Sequence, residues 1–261
     1  MGLRRRAADP QDLERQVIGS DLVTGSADRE AARLRDRLAE IEVEQATLEA
    51  ELAAFNSDYM RVVMTVMAEV QELEARILAL VAARSGAADD ADAARSARER
   101  VNETTAHIRA VPKTPGPIPT GDIKRLFRDA AKRMHPDLAA DEAARGHAEA
   151  FMKRLNAAYR AGDAEGIADL LRQWDASPCG VGSEDDAARS ARAARRVGAL
   201  GDAVARAQQR LDDLRASELA QLLERAMTAA AAGGDLLAEM RSAAEAALAR
   251  ARVRLAELQR T

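Results

Sequence analysis

From Leu34 onward, apolar residues recur at steps of four and three: Leu34, Leu38, Ile41, Leu48, Leu52, Phe55, Tyr59 and Val62, with Gln45 at the one polar position of the series. That spacing draws a single apolar stripe along an α-helix and matches a heptad seam. Two consecutive steps of four, Val62 to Val66 to Val70, interrupt the heptads as a stutter that locally unwinds a supercoil. The pattern resumes at Leu73, Ile77 and Leu80. Ser26, with Asp28 and Glu30 behind it, reads as the N-cap. A helix of about 55 residues spans roughly 80 Å. It cannot bury its stripe against itself and needs a partner helix, in this chain or another.

Ser85-Gly86 and Asp89-Asp90 break that helix, and a weaker one follows over about 91–110, with Val101 on its apolar side. The segment Val111-Pro112-Lys113-Thr114-Pro115-Gly116-Pro117-Ile118-Pro119 then predicts an extended linker, because closely spaced prolines exclude helix. Ser177-Pro178-Cys179-Gly180 marks a second linker. Beyond it, Ser183 and Asp186 predict a capping box for a helix to about Ala232, with Val197, Leu200, Val204, Ala207, Leu211 and Leu214 as its seam. Gly233-Gly234 closes it, and Asp235 caps a last helix carrying Leu237, Met240, Ala244, Ala251, Leu255 and Leu258. The two read as an antiparallel helical hairpin.

The sequence therefore divides into a disordered N-terminus (1–25), an N-terminal coiled-coil region (26–110), a Pro-rich linker (111–120), a central module (121–174), a linker (175–183) and a C-terminal coiled-coil hairpin (184–261). The expected fold is all-α: long antiparallel coiled-coil helices flanking a small helical module. The two coiled-coil regions are of similar character. They can pair within one chain or in a homodimer, and the sequence leaves both open.

Composition narrows the function classes. Of 261 residues, 47% are hydrophobic but only 2% aromatic, and about 60 are alanine. Small side chains remove little apolar area from water, which argues against one large α/β or all-β enzyme core. The net charge is −4 with both signs interspersed, so there is no polybasic field for nucleic acid. The lone Cys179 excludes an internal disulfide framework and a cysteine-based zinc site. No pair of histidines has ligand spacing, and no metal or cofactor is expected. No apolar run approaches a membrane span, and the Arg-rich start lacks the apolar stretch of a secretory signal. These features point to the cytoplasm. With no nucleophile–base pair, phosphate-binding glycine loop or convergent carboxylates, the chain is not expected to be an enzyme, and no catalytic residues are assigned.

The central module differs in kind, holding four of the six aromatics: Phe127, Phe151, Tyr159 and Trp174. Over 122–134, Ile123, Leu126, Phe127, Ala130, Ala131 and Met134 form one apolar face. Lys124, Arg125, Arg128, Lys132 and Arg133 form the opposite one. Pro136 ends this helix at His135. Asp141 and Glu142 open a second helix presenting Ala148, Phe151, Met152, Leu155 and Tyr159. Gly162 ends it, and Asp163 caps a third carrying Ile167, Leu170, Leu171 and Trp174.

The run Ile123-Lys124-Arg125-Leu126-Phe127-Arg128-Asp129-Ala130-Ala131-Lys132-Arg133-Met134-His135-Pro136-Asp137, followed by a helix containing Leu155-Asn156-Ala157-Ala158-Tyr159, resembles the second helix, loop and third helix of a J domain, the defining part of DnaJ-type co-chaperones. The resemblance covers about 50 residues, a fifth of the chain. It implies a helical hairpin that stimulates ATP hydrolysis by a DnaK-type chaperone. On that reading His135, Pro136 and Asp137 form the signalling tip. Lys124, Arg125, Arg128 and Lys132 form a basic face for an acidic partner surface, with Phe127 at the family's aromatic position. The coiled-coil arms would bind client or partner.

The chain departs from the family in several places. The family's first helix, with its tyrosine pair, has no counterpart beside the Pro-rich linker. Leu138 replaces a basic residue, Asp129 interrupts the basic face, and Ala161-Gly162-Asp163 with a third amphipathic helix replaces the usual basic ending. That third helix is expected to complete the small core. The competing reading is a structural, scaffolding coiled-coil protein whose J-like hairpin has no ATPase partner. No membrane partner is expected.

Overall fold

A computed structural model of the chain describes residues 10–112, 116–139, 141–175 and 186–260, with side chains from Ser26 onward except Leu138 and 186–195. The described residues form nine α-helices and no strand. In chain order these are α1 (Pro10–Tyr59), α2 (Thr65–Ser85), α3 (Ala88–Ala110), α4 (Gly121–Met134), α5 (Glu142–Ala161), α6 (Ala164–Asp175), α7 (Asp186–Ala216), α8 (Glu218–Ala231) and α9 (Leu236–Arg260). A π-helical turn (Met60–Met64) joins α1 to α2, and a 3₁₀ turn (Pro136–Leu138) follows α4. The all-α class expected from the sequence holds.

The caps are where short-range chemistry puts them. Gly86 and Gly162 take left-handed backbone at φ 63° and 68°, ending α2 and α5. The Asp141, Asp163 and Asp235 carboxylates accept the N–H groups of Ala144, Gly166 and Ala238 at 2.8, 2.8 and 3.0 Å. Each satisfies one of the orphan donors at a helix start.

Two boundaries need correction. α1 begins at Pro10, not at Ser26, so residues 10–25, expected to be disordered, are helical. Proline fits the first turn of a helix, and Asp12 and Glu14 follow it there. The expected continuous helix to Ala232 breaks at Ser217, whose hydroxyl accepts the Ala220 N–H at 3.3 Å and starts α8. The proposed capping box at Ser183, the linker over 176–185 with Cys179, and residues 1–9 lie outside the described residues.

The stutter at Val62 has a structural counterpart. The Thr65 N–H reaches back five residues to the Met60 carbonyl, and the Thr65 hydroxyl donates to the same oxygen at 3.1 Å. A π turn holds one residue more than an α turn, so the seam changes phase. Val63, rather than Val62, is therefore the buried residue, and Val70 and Ile77 continue the seam.

The chain divides into two compact units: residues 1–48 with 117–214, and 49–116 with 215–261. The three consecutive regions read from the sequence are thus interleaved rather than separate. In the second unit, Ala75 and Leu78 of α2 pack on Ala97 and Val101 of α3, and α9 lies against α2. Glu72 receives hydrogen bonds from Arg98 and Arg76, which hold its carboxyl below the usual carboxylate range. The buried Ser57 hydroxyl donates to the Pro112 carbonyl at 3.0 Å.

The first unit has two cores. In one, Leu38 and Ile41 of α1 meet Leu200, Ala203, Ala207 and Leu211 of α7. Arg35 lies near Arg196, Arg37 bonds Gln208 at 3.1 Å, and Glu42 bonds Arg210 at 3.0 Å. These pairs rise together in number, so α7 runs parallel to this stretch of α1. The seam of α7 is thus buried on α1, and not in the antiparallel hairpin with the last helix that its sequence suggested. Burial first, and then the neighbouring Arg196 charge, push the Arg35 guanidinium below its ordinary value.

The other core holds Ala39, Val43 and Ala46 of α1, Phe127, Ala130, Ala131 and Met134 of α4, Leu155 and Tyr159 of α5, and Ile167 and Leu170 of α6. The third short helix, α6, joins this core as its sequence implied. The Thr47 hydroxyl donates to the Val43 carbonyl at 2.7 Å, so its contact with the buried Tyr159 hydroxyl, 2.8 Å away, has the tyrosine as donor. A Cβ at Gly162 would meet Pro117 Cγ at 2.7 Å, whereas one at Gly86 would meet nothing within 4 Å. Gly162→Ala should therefore cost more than the roughly 1–2 kcal/mol of left-handed backbone alone, and Gly86→Ala about that amount. Urea denaturation of the two variants compares them directly.

Candidate functional site

The His135-Pro136-Asp137 turn joins α4 to α5 through local rules. Pro136 forces His135 into extended backbone, φ −64° and ψ 131°, and then occupies the first position of the 3₁₀ turn. The Asp137 N–H donates to His135 Nδ1 at 3.2 Å. That bond leaves the ring proton on Nε2, which faces Glu42 Oε1 of α1 at 3.4 Å.

The turn is enclosed from three sides within the first unit. His135 is only 8% exposed. The Asp137 side chain, 22% exposed, has Arg206 of α7 at 3.0 Å and Arg145 of α5 at 3.7 Å. Glu42, 12% exposed, sits under His135 and also takes Arg210 of α7 at 3.0 Å. The result is a chain of polar contacts, Arg206–Asp137–His135–Glu42–Arg210, crossing from α7 through the turn to α1 and back. Buried or half-buried charges are held this way because each has a partner of opposite sign or a hydrogen bond.

The basic residues of α4 divide into two groups. Arg125 and Arg128 are exposed and Lys124 is half-buried. Among the described residues Arg125 pairs only with Asp122, one turn back, at 3.2 Å. Arg128 and Lys124 have no ion pair among the described residues. Lys132, by contrast, bonds Asp36 of α1 at 2.8 Å, and Arg133 bonds both oxygens of Asp175 on α6 at 3.0 and 3.2 Å. The half of α4 near the turn is therefore engaged inside the unit, and the half near Gly121 is open.

Phe127 occupies a different place from the other site residues. It has no exposed surface and packs on Tyr159 with ring centroids 4.5 Å apart. It positions α4 against α5 and cannot touch a partner, a correction to its expected place among the docking residues. In the first half of α5, exposed His147 stacks on Trp174 at 5.6 Å, and Phe151 meets Trp174 edge-on at 5.3 Å.

Sequence reasoning missed Glu42, Asp36, Arg145, Arg206 and Arg210. Arg145 follows the turn by eight residues on the next helix, so the i,i+n logic of a helix start could have placed it. The others are separated from the turn by about 70–100 positions. They look like ordinary solvated charges between seam residues. Among the described residues no three His, Cys, Asp or Glu side chains are grouped to hold a metal ion, and no helix is long and apolar enough to cross a membrane. No family model, curated protein or solved structure matches this chain.

Proposed function

We propose that this chain is a J-domain-like co-chaperone that recruits or stimulates a DnaK-type chaperone ATPase through its His-Pro-Asp turn and the basic face of α4. The observation that carries the reading is the placement of His135, Pro136 and Asp137 at the connection of two antiparallel-packed helices, with exposed Arg125 and Arg128 and half-buried Lys124 farther along the same α4. An exposed cationic stripe steers an acidic surface and gives an association rate that falls with ionic strength. A turn braced by two packed helices places one imidazole and one carboxylate on that partner without performing chemistry itself. The cytoplasm, as the compartment of a DnaK-type partner, belongs to the same reading.

The test is single-turnover ATP hydrolysis by a purified DnaK-type ATPase, with the full chain and with His135→Gln or Asp137→Asn. Stimulation by the wild-type chain should fall to background in both variants, a loss of about tenfold or more if the turn carries the coupling. Adding salt from 50 to 300 mM should reduce it. Equal hydrolysis with and without the chain, in wild type and in a variant whose turn has been freed from α7, would sink the reading.

One observation favours the scaffolding alternative. The turn's own polar groups are engaged by Glu42, Arg145 and Arg206 inside the unit, as those of a structural clasp would be. On that reading His135→Gln and Asp137→Asn lower stability and leave no ATPase to respond.

A further inference from the structure

The same polar chain that supports a clasp has a consequence for any partner of the turn. A partner that uses Asp137 must displace Arg206 from its carboxylate, and one that uses His135 must separate it from Glu42. Arg210 holds Glu42 in place, and Lys132, three residues before His135, is tied to Asp36. These closing groups lie on α1 and α7, and Arg145 of α5, 3.7 Å from the Asp137 carboxylate, adds a contact from within the module. The two helices are joined to each other by the seam of Leu38 and Ile41 with Leu200, Ala207 and Leu211. The open half of α4, with Arg125 and Arg128, is not covered by these contacts.

We infer that α7 is an internal lock on the His-Pro-Asp turn, and that an acidic chaperone surface competes with Glu42 and Asp36 for the turn and for Lys132. This rests on the co-chaperone reading and names its regulation. The partner first meets the open cationic half of α4. It gains the turn only when Arg206 and Arg210 let go. The ion pairs concerned are partly solvated, with Arg206 and Arg210 side chains about half exposed, which makes the lock reversible rather than permanent. A lock of this kind reduces apparent affinity by the fraction of molecules in which the turn is free.

The experiment uses the full chain, a purified DnaK-type ATPase and single-turnover hydrolysis. Arg206→Glu with Arg210→Glu places like charge opposite Asp137 and Glu42. This pair should raise stimulation about five- to tenfold over wild type, as expected for loss of two partly exposed ion pairs. Ala207→Glu, which disturbs the seam instead of the pairs, should raise it as well. Adding His135→Gln to either should remove the gain. Hydrogen exchange at 135–139 should speed up in both freed variants while Trp174 emission stays native, which shows that the module is still folded. If wild type and freed variants stimulate equally, and all depend on His135, the lock is wrong and the co-chaperone reading stands. If none of them stimulates, the co-chaperone reading fails and the lock fails with it. A rise in stimulation that survives His135→Gln also overturns the lock, because the turn would not be what was released.

Discussion

Phe127→Ala should lower the unfolding free energy of the first unit by about 3–5 kcal/mol, the range for removing a fully buried aromatic side chain. Phe127 has no exposed surface and lies at the junction of four helices, packed with Tyr159 among residues of α1, α4, α5 and α6. The cavity is flanked by Ala130 and Ala131, which have no length to fill it. The chain's single tryptophan, Trp174, packs against this same core, so its emission in urea reports the first unit without signal from a second tryptophan. A midpoint unchanged from wild type would show that α4 is not held by this ring. The variant should also lose any activity of the turn, because α4 orients His135. The loss would then be one of folding, and Leu in place of Phe127 should restore most of it.

Ala207→Glu should release α7 from α1. Ala207 has no exposed surface and sits between Leu200 and Leu211 against Leu38 and Ile41. A carboxylate there is buried without a partner, at a cost of about 3–5 kcal/mol if the seam stays closed. That penalty is set against the burial of Leu200 and Leu211, so the fraction of molecules with α7 undocked should rise. The expected signature is loss of exchange protection over 197–211, with protection of α4 and α5 retained. Retained protection over 197–211 would mean that the seam tolerates the charge. The variant separates the two cores of the first unit. One is made by α7 on α1, and the other by the three short helices on the opposite side of α1.

That separation explains how much of the fold the sequence disclosed. The heptad series through Leu38 and Ile41 was legible because each residue is large and recurs at helical spacing. The second face of the same helix, Ala39, Val43 and Ala46, is just as buried. It left little trace because two of its three members are alanines, which occur throughout the chain, on buried and exposed faces alike. A helix buried on two sides was therefore read as a helix with one seam. The small core of α4 and α5 is completed by α6 and by Ala39, Val43 and Ala46 of α1, which lies far away in sequence.

The stutter shows the opposite case. Two steps of four required the seam to slip, and the π turn at Met60–Met64 accomplishes the slip within one turn of backbone. The slip was evident in the spacing alone. Its form was not, because a seam can change phase by unwinding gradually or by inserting one residue.

Of the site residues, the sequence identified those adjacent in chain order and could say nothing of those brought in from elsewhere. Helix formers, prolines, glycines and capping acids act over a few residues, so most of the helices of the chain, the caps at Gly86, Asp141, Gly162, Asp163 and Asp235, the turn at His135-Pro136-Asp137 and the basic face of α4 follow from the sequence alone. Pairing of α7 with α1, division into two interleaved units and engagement of the turn by Glu42, Arg145 and Arg206 were decided only by tertiary structure. Several seams of similar Ala-rich character can pair with one another, and a single charge between seam residues looks the same whether it faces water or a histidine. Only the packing of the whole chain chooses between them.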